Sequence, residues 1–122
     1  MGLLDSWSQR AAARREERVD YIGEQNGPVE KTLKRELLLE FVTRPDVRRA
    51  YLATVRFESE GGPSAAVCIA SARPSDQSLI VRVGEICRRL FAKDAVPDVL
   101  FVSPEQEAIL AQLCTPFYRS AG

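Results

Sequence analysis

The clearest pattern of apolar and polar positions runs from Arg48 to Ala72, where two apolar runs flank a Gly61-Gly62-Pro63 turn. By the period-two geometry of a strand, Tyr51, Ala53, Val55 and Phe57 share one face, and Ala50, Leu52, Thr54, Arg56 and Glu58 share the other. The first face is apolar throughout. In the returning run Ala65, Val67 and Ile69 alternate with Ala66, Cys68 and Ala70, so that strand is apolar on both sides and belongs in the middle of a sheet. Glu58 to Pro63 is polar and turn-forming, with two glycines able to take positive φ and a proline that cannot donate to a ladder, and it predicts an exposed hairpin loop.

Helical spacing appears on both sides of this hairpin. Val29, Leu33, Leu37, Leu38, Phe41 and Val42 recur at a period near 3.6 residues, with Pro28 placed for the first helical position and Arg44-Pro45-Asp46 as the stop. After the hairpin, Arg73-Pro74-Ser75-Asp76 supplies a turn and an N-cap. Leu79, Val83, Ile86, Cys87 and Leu90 then mark the buried face of a second helix ending near Ala92. Asp98 to Val102 is a short strand. Ser103 and Gln106 form a capping box around Pro104 and open a final helix carrying Ile109, Leu110 and Leu113.

The N-terminal part carries fewer apolar residues. Val19 to Gly23 is expected as a short strand, and residues 1 to 18 as a helix capped by Asp5 or Ser6, with only Leu3, Leu4, Trp7 and Ala11 on its apolar side. That helix is expected to be semi-detached from a single domain spanning residues 19 to 122. The order is that of an α+β fold: β-α-β-β-α-β in the ferredoxin-like manner, an antiparallel sheet of three or four strands with helices on one face, plus N- and C-terminal helices. The sheet has three strands if Val19 to Gly23 is not one of them.

Composition narrows the function more by what it removes. A chain of 122 residues is long enough for one independent core. Seventeen basic residues balance seventeen acidic ones, which argues against a nucleic-acid partner needing several phosphate contacts. No run approaches the roughly 20 apolar residues of a membrane span, so no stable membrane insertion is expected. The N-terminus lacks the regions of a signal peptide, and the expected location is the cytoplasm. Three cysteines at 68, 87 and 114 form neither a disulfide framework nor a metal knuckle, and there is no histidine. No cofactor or metal is expected.

The remaining candidates for chemistry have structural explanations. Cys68 and Cys87 read as small buried hydrophobes. Cys114-Thr115-Pro116-Phe117-Tyr118-Arg119 resembles a phosphatase loop, but it is one residue short and has no glycines to shape a cradle of backbone amides. Glu36 with Glu40 lies on a solvated helix face, and Glu105 with Glu107 in a first helical turn where acids favour the dipole. Arg44, Arg48 and Arg49, like Arg82, Arg88 and Arg89, read first as solvated charge, with an anionic partner as the alternative.

A resemblance adds to these readings. The strings IGEQNGPVEKTLKRELLLEF, PDVRRAYLATV, VRVGEICRRLF and PDVLFV and the terminal PFY, in that order from Tyr21 to Tyr118, resemble the C-terminal domain of the bacterial enhanced serine sensitivity protein SseB family. The resemblance carries over no catalytic residues, and the chain has the Leu3 to Arg18 segment where longer members have an N-terminal domain. The first functional expectation is a non-catalytic protein-interaction or adaptor domain, binding a protein partner or a second copy through Trp7 and through Pro116, Phe117, Tyr118 and Arg119. For Phe117 and Tyr118, packing against the sheet stands beside this as an equal alternative. The second expectation is a regulatory domain for a small ligand at a sheet edge or dimer seam, for which the family's serine phenotype implies an amino acid. A hydrolase using Cys114 comes third.

Overall fold

The computed structural model describes residues 19–58, 62–91 and 97–120. The proposed N-terminal helix, and Trp7 with it, lie outside the described residues. The elements are β1 (Val19–Glu24), α1 (Pro28–Phe41), β2 (Val47–Phe57), β3 (Pro63–Ser71), α2 (Gln77–Leu90), β4 (Asp98–Phe101), α3 (Pro104–Leu110) and β5 (Tyr118–Arg119). Val19 to Gly23 is therefore a strand, one residue longer than expected. The local signals act as anticipated at three helix starts. Pro28 begins α1, the Asp76 side chain accepts from the Leu79 N–H at α2, and Ser103 and Gln106 close a reciprocal capping box at α3.

The sheet corrects the expected topology in three respects. It has five strands rather than three or four, in the order β1-β2-β3-β4 with β5 also on β2. It is mixed rather than antiparallel, because β4 runs parallel to β3. The order β-α-β-β-α-β also does not produce the ferredoxin-like arrangement: β1 and β2 are direct neighbours, and so are β3 and β4, so neither strand-helix-strand unit is split by an inserted strand.

Chain lengths explain the first pairing. β1 faces β2 only from Ala53 to Phe57, leaving the start of β2 overhanging. At about 3.4 Å per residue that overhang is about 20 Å, and the 14 residues of α1 span about 21 Å. The helix carries the chain onward beyond β1 over the overhang, and β2 returns antiparallel beneath it. β3 occupies the other side of β2 from Val47 to Arg56, so the short β5 takes the edge that β1 leaves open, opposite Arg49 and Ala50.

Helices cover both faces of the sheet, which corrects the expectation of one. On one face Leu33, Leu37 and Phe41 of α1 and Leu79, Val83, Ile86 and Cys87 of α2 pack with Ala50, Leu52, Val67, Ile69, Val99 and Phe101. On the other, Leu110 of α3 and Cys114 pack with Tyr51, Ala53, Val55, Phe57, Ala66, Cys68 and Leu100. The two faces of β2 and β3 divide as the period-two reading requires. Not every helical apolar position is buried, however: Val29 and Leu39 of α1, Val42 at its C-cap and Ile109 of α3 are exposed. Glu40, expected to face water, bridges α1 and α2 instead. Arg44 Nε lies 2.9 Å and Arg82 Nε 3.0 Å from its two oxygens. Burial pushes the Glu40 carboxyl up, but the two guanidinium hydrogen bonds outweigh it and the net shift is downward.

Candidate functional site

The site lies where the C-terminal segment crosses β2 beside α3. The carbonyls of β2 left open by β1 are taken in sequence: Gln25 N donates to Leu52 O, Phe117 N to Ala50 O and Ser120 N to Arg48 O. Further up the same edge, Thr115 N donates to Glu24 Oε1 at 2.9 Å, and Glu24 is in turn held by Lys34. The Thr115 amide first, and Lys34 after it, hold the Glu24 carboxyl below the usual carboxylate range.

This fixing of the tail sorts the expected interaction residues by face. Phe117 and Tyr118 turn inward and are half-buried against the core, with ring centroids 6.0 and 5.9 Å from that of Phe41. Pro116 and Arg119 instead line a groove of about 510 Å³ on the opposite side of the sheet, walled by α3 through Glu107, Ala108 and Ala111 and floored by Arg49 and Tyr51 of β2.

Three residues organise the groove. Arg49 donates to both oxygens of Glu107, from Nη2 at 2.9 Å and from Nε, and the Tyr51 hydroxyl donates to Glu107 Oε2 at 2.7 Å. A bidentate guanidinium fork is the strongest arrangement for such a pair. Arg49 first, with Tyr51 after it, draws the Glu107 carboxyl below its ordinary range, although burial opposes them. Burial, reinforced by the bond to Glu107, pushes the Tyr51 phenol up to about 12. Both groups thus keep their neutral-pH charge states, Glu107 ionised and Tyr51 protonated.

The sequence reading weighs Glu107 in an acid–base pair with Glu105 and Arg49 for an anionic partner, but does not bring these three residues together. Glu107 was assigned to the dipole of its helix, Arg49 to solvated charge and Tyr51 to the core. The available signal was Arg49 and Tyr51 spaced two apart, which puts two polar-tipped side chains at one end of an otherwise apolar strand face.

Cys114 borders the groove, but its geometry is that of a buried thiol. The side chain packs in the α3 core, Sγ donates to Leu52 O at 3.5 Å, and burial, with the nearby Glu24 charge, raises its pKa to about 11. Cys87 is pushed up to about 12 by burial, and Cys68 is raised as well. A phosphatase-like nucleophile requires the reverse, a thiolate stabilised by amides and positive charge. Alkylation of Cys114 by iodoacetamide at pH 8 is expected to run at least about tenfold slower than that of a free thiol, as followed by peptide mass mapping. Labelling at the free-thiol rate would contradict this placement.

A second cavity of similar size opens beyond the carboxyl ends of β3 and β4, lined by Ser71, Arg73, Phe101, Ser103 and Gln106. Its polar groups are already engaged with one another. Ser71 Oγ donates to Asp46 O and accepts from Arg73 N, while Ser103 and Gln106 close their capping box. Among the described residues no group of three or more metal-ligating side chains forms, and no helix is long and apolar enough to cross a membrane.

Comparison with curated proteins and with solved structures finds no match. The family model that does match is the SseB protein C-terminal domain, over residues 21–119, which includes every strand from Tyr21 of β1 through β5 and the whole groove. With the three helices of the described residues and nearly all of the sheet inside that span, the chain belongs to the SseB C-terminal domain family.

Proposed function

We propose that the chain is a cytoplasmic, non-catalytic protein-interaction domain whose docking surface is the groove between α3 and the C-terminal tail. One observation carries this reading: the groove is open and lined by polar and apolar groups together, yet its reactive groups are all occupied or protonated. Both Glu107 oxygens are held by Arg49 and Tyr51, and the Cys114 thiol faces the core. What the groove offers a visitor is donors and hydrocarbon rather than a nucleophile or a base.

Its dimensions suit a segment of chain. A globular partner seeks roughly 1,000 Å² or more of matched surface, whereas about 510 Å³ between a helix and a tail receives a few residues.

A photo-crosslinking amino acid at Ala111, in the groove wall, tests the reading in living cells, with Glu58 at the far end of the hairpin as the control position. The expected result is a discrete protein adduct from Ala111, absent from Glu58 and lost when Ala108→Trp fills the groove. An adduct at twice the chain mass would identify the partner as a second copy. No adduct from Ala111, or one that survives Ala108→Trp, would remove the groove as the docking surface.

A further inference from the structure

The charge balance of the groove says what kind of segment it receives. Arg49 and Arg119 are register partners across the β2–β5 ladder, so two guanidinium side chains start directly opposite each other. Such a like-charged pair is unfavourable unless something negative lies between. Glu107 fills that role only for Arg49. Its oxygens are taken by Arg49 and Tyr51, and Arg119 acts on it only through space, helping to lower its pKa without a hydrogen bond.

Among the described residues Arg119 makes no ion pair, and it is exposed on the groove wall. The charged pair at the other end of the tail, Glu24 with Lys34, cancels itself at 2.9 Å. Among the described residues the groove therefore holds two guanidiniums against one carboxylate and keeps one positive charge unneutralised. Arg49 also spends only Nε and Nη2 on Glu107, which leaves its Nη1 as a further donor. Beside these donors Ala108 and Ala111 present a small apolar wall.

Resting on the docking reading above, we infer that the groove receives an acidic peptide segment, one side-chain carboxylate seated on Arg119 and its aliphatic stem lying on Ala108 and Ala111. A bidentate guanidinium–carboxylate pair is the geometry Arg119 is free to make. A nucleic acid is disfavoured, because one excess charge in a chain with 17 basic and 17 acidic residues cannot supply several phosphate contacts.

The test is fluorescence anisotropy at low ionic strength with a labelled octapeptide of alternating Glu and Leu, its Gln-for-Glu counterpart, and inorganic phosphate as competitor. The expected result is saturable binding of the Glu peptide only, weakened about tenfold by Arg119→Gln and more by Arg119→Glu, and weakened by salt. Thermal melts confirm that both variants fold, which the exposure of Arg119 leads one to expect. Equal binding of the Gln peptide, binding unaffected by either Arg119 variant, or no binding to the wild-type chain would overturn the inference. Displacement by phosphate as effective as that by the unlabelled peptide would also overturn it, reassigning the site to a phosphate group. Any of these outcomes with the Ala111 adduct still formed and still lost in Ala108→Trp would leave the docking reading standing and remove only the acidic partner.

Discussion

Replacing Phe41 with alanine is expected to lower the free energy of unfolding by about 3–5 kcal/mol, a large part of the 5–15 kcal/mol typical of a whole domain. Phe41 is fully buried at the end of α1, in the cluster that joins α1, α2 and the sheet, and it is also the ring against which Phe117 and Tyr118 pack. Truncation leaves a cavity beneath the tail as well as a loss of transfer free energy, and β5 has only two residues of ladder to resist it. The effect therefore has two parts. Urea titration should show a lower midpoint. Native-state hydrogen exchange should show the Phe117 and Ser120 amides, which donate to Ala50 and Arg48, exchanging well before the β2–β3 core. Phe117→Ala, at a half-buried position, should lose about 1–2 kcal/mol with the same loosening of the tail. An unchanged midpoint, or tail amides as protected as in the wild type, would mean that Phe41 does not hold the tail in place.

That link between Phe41 and the tail marks the limit of what single-chain patterning can show. The hairpin was legible because alternation assigns Tyr51, Ala53, Val55 and Phe57 to one side and Ala50 and Leu52 to the other without reference to any other element, and the two clusters divide along that line. The helix starts at Pro28, Asp76 and Ser103 were legible for the same reason, since each cap is settled within four residues. Strand pairing beyond the hairpin was not legible. The parallel union of β3 with β4 and the joint use of one β2 edge by β1 and β5 depend on contacts between positions far apart in the chain. The tail string Pro116-Phe117-Tyr118-Arg119 shows the difference well. Its composition leaves Phe117 and Tyr118 equally open to a partner or to the sheet, and the backbone bonds to β2 decide between them, setting both rings against Phe41 and leaving Pro116 and Arg119 to line the groove. Glu107 likewise satisfied a local rule about helix dipoles, so nothing nearby pointed to its partner 58 residues away.

Glu107→Ala is expected to cost about 1–2 kcal/mol at pH 7, less than the 3–5 kcal/mol of a fully buried pair because the Arg49 side chain is 36% exposed while that of Glu107 is 14% exposed. The variant leaves the Arg49 guanidinium and the Tyr51 hydroxyl without their acceptor and brings Arg49 and Arg119 face to face across the ladder with no carboxylate near them. Acid should erase the difference. The folded-state pKa of Glu107 lies below that of the unfolded chain, chiefly through Arg49, so its contribution is complete above the ordinary glutamate value of about 4.3. That contribution falls away as the pH drops through the lower folded-state value. Urea midpoints of wild type and variant measured from pH 7 to pH 2 should therefore converge at the acid end. Glu107→Gln should show the same flattening of the acid limb with a smaller loss at pH 7, since the amide oxygen can still accept from one donor. Curves for Glu107→Ala that stay parallel to the wild type through the acid range would show that the carboxylate does not hold the groove together through charge. The groove's excess positive charge would then rest on Arg119 alone, with Arg49 no longer fixed as the second donor.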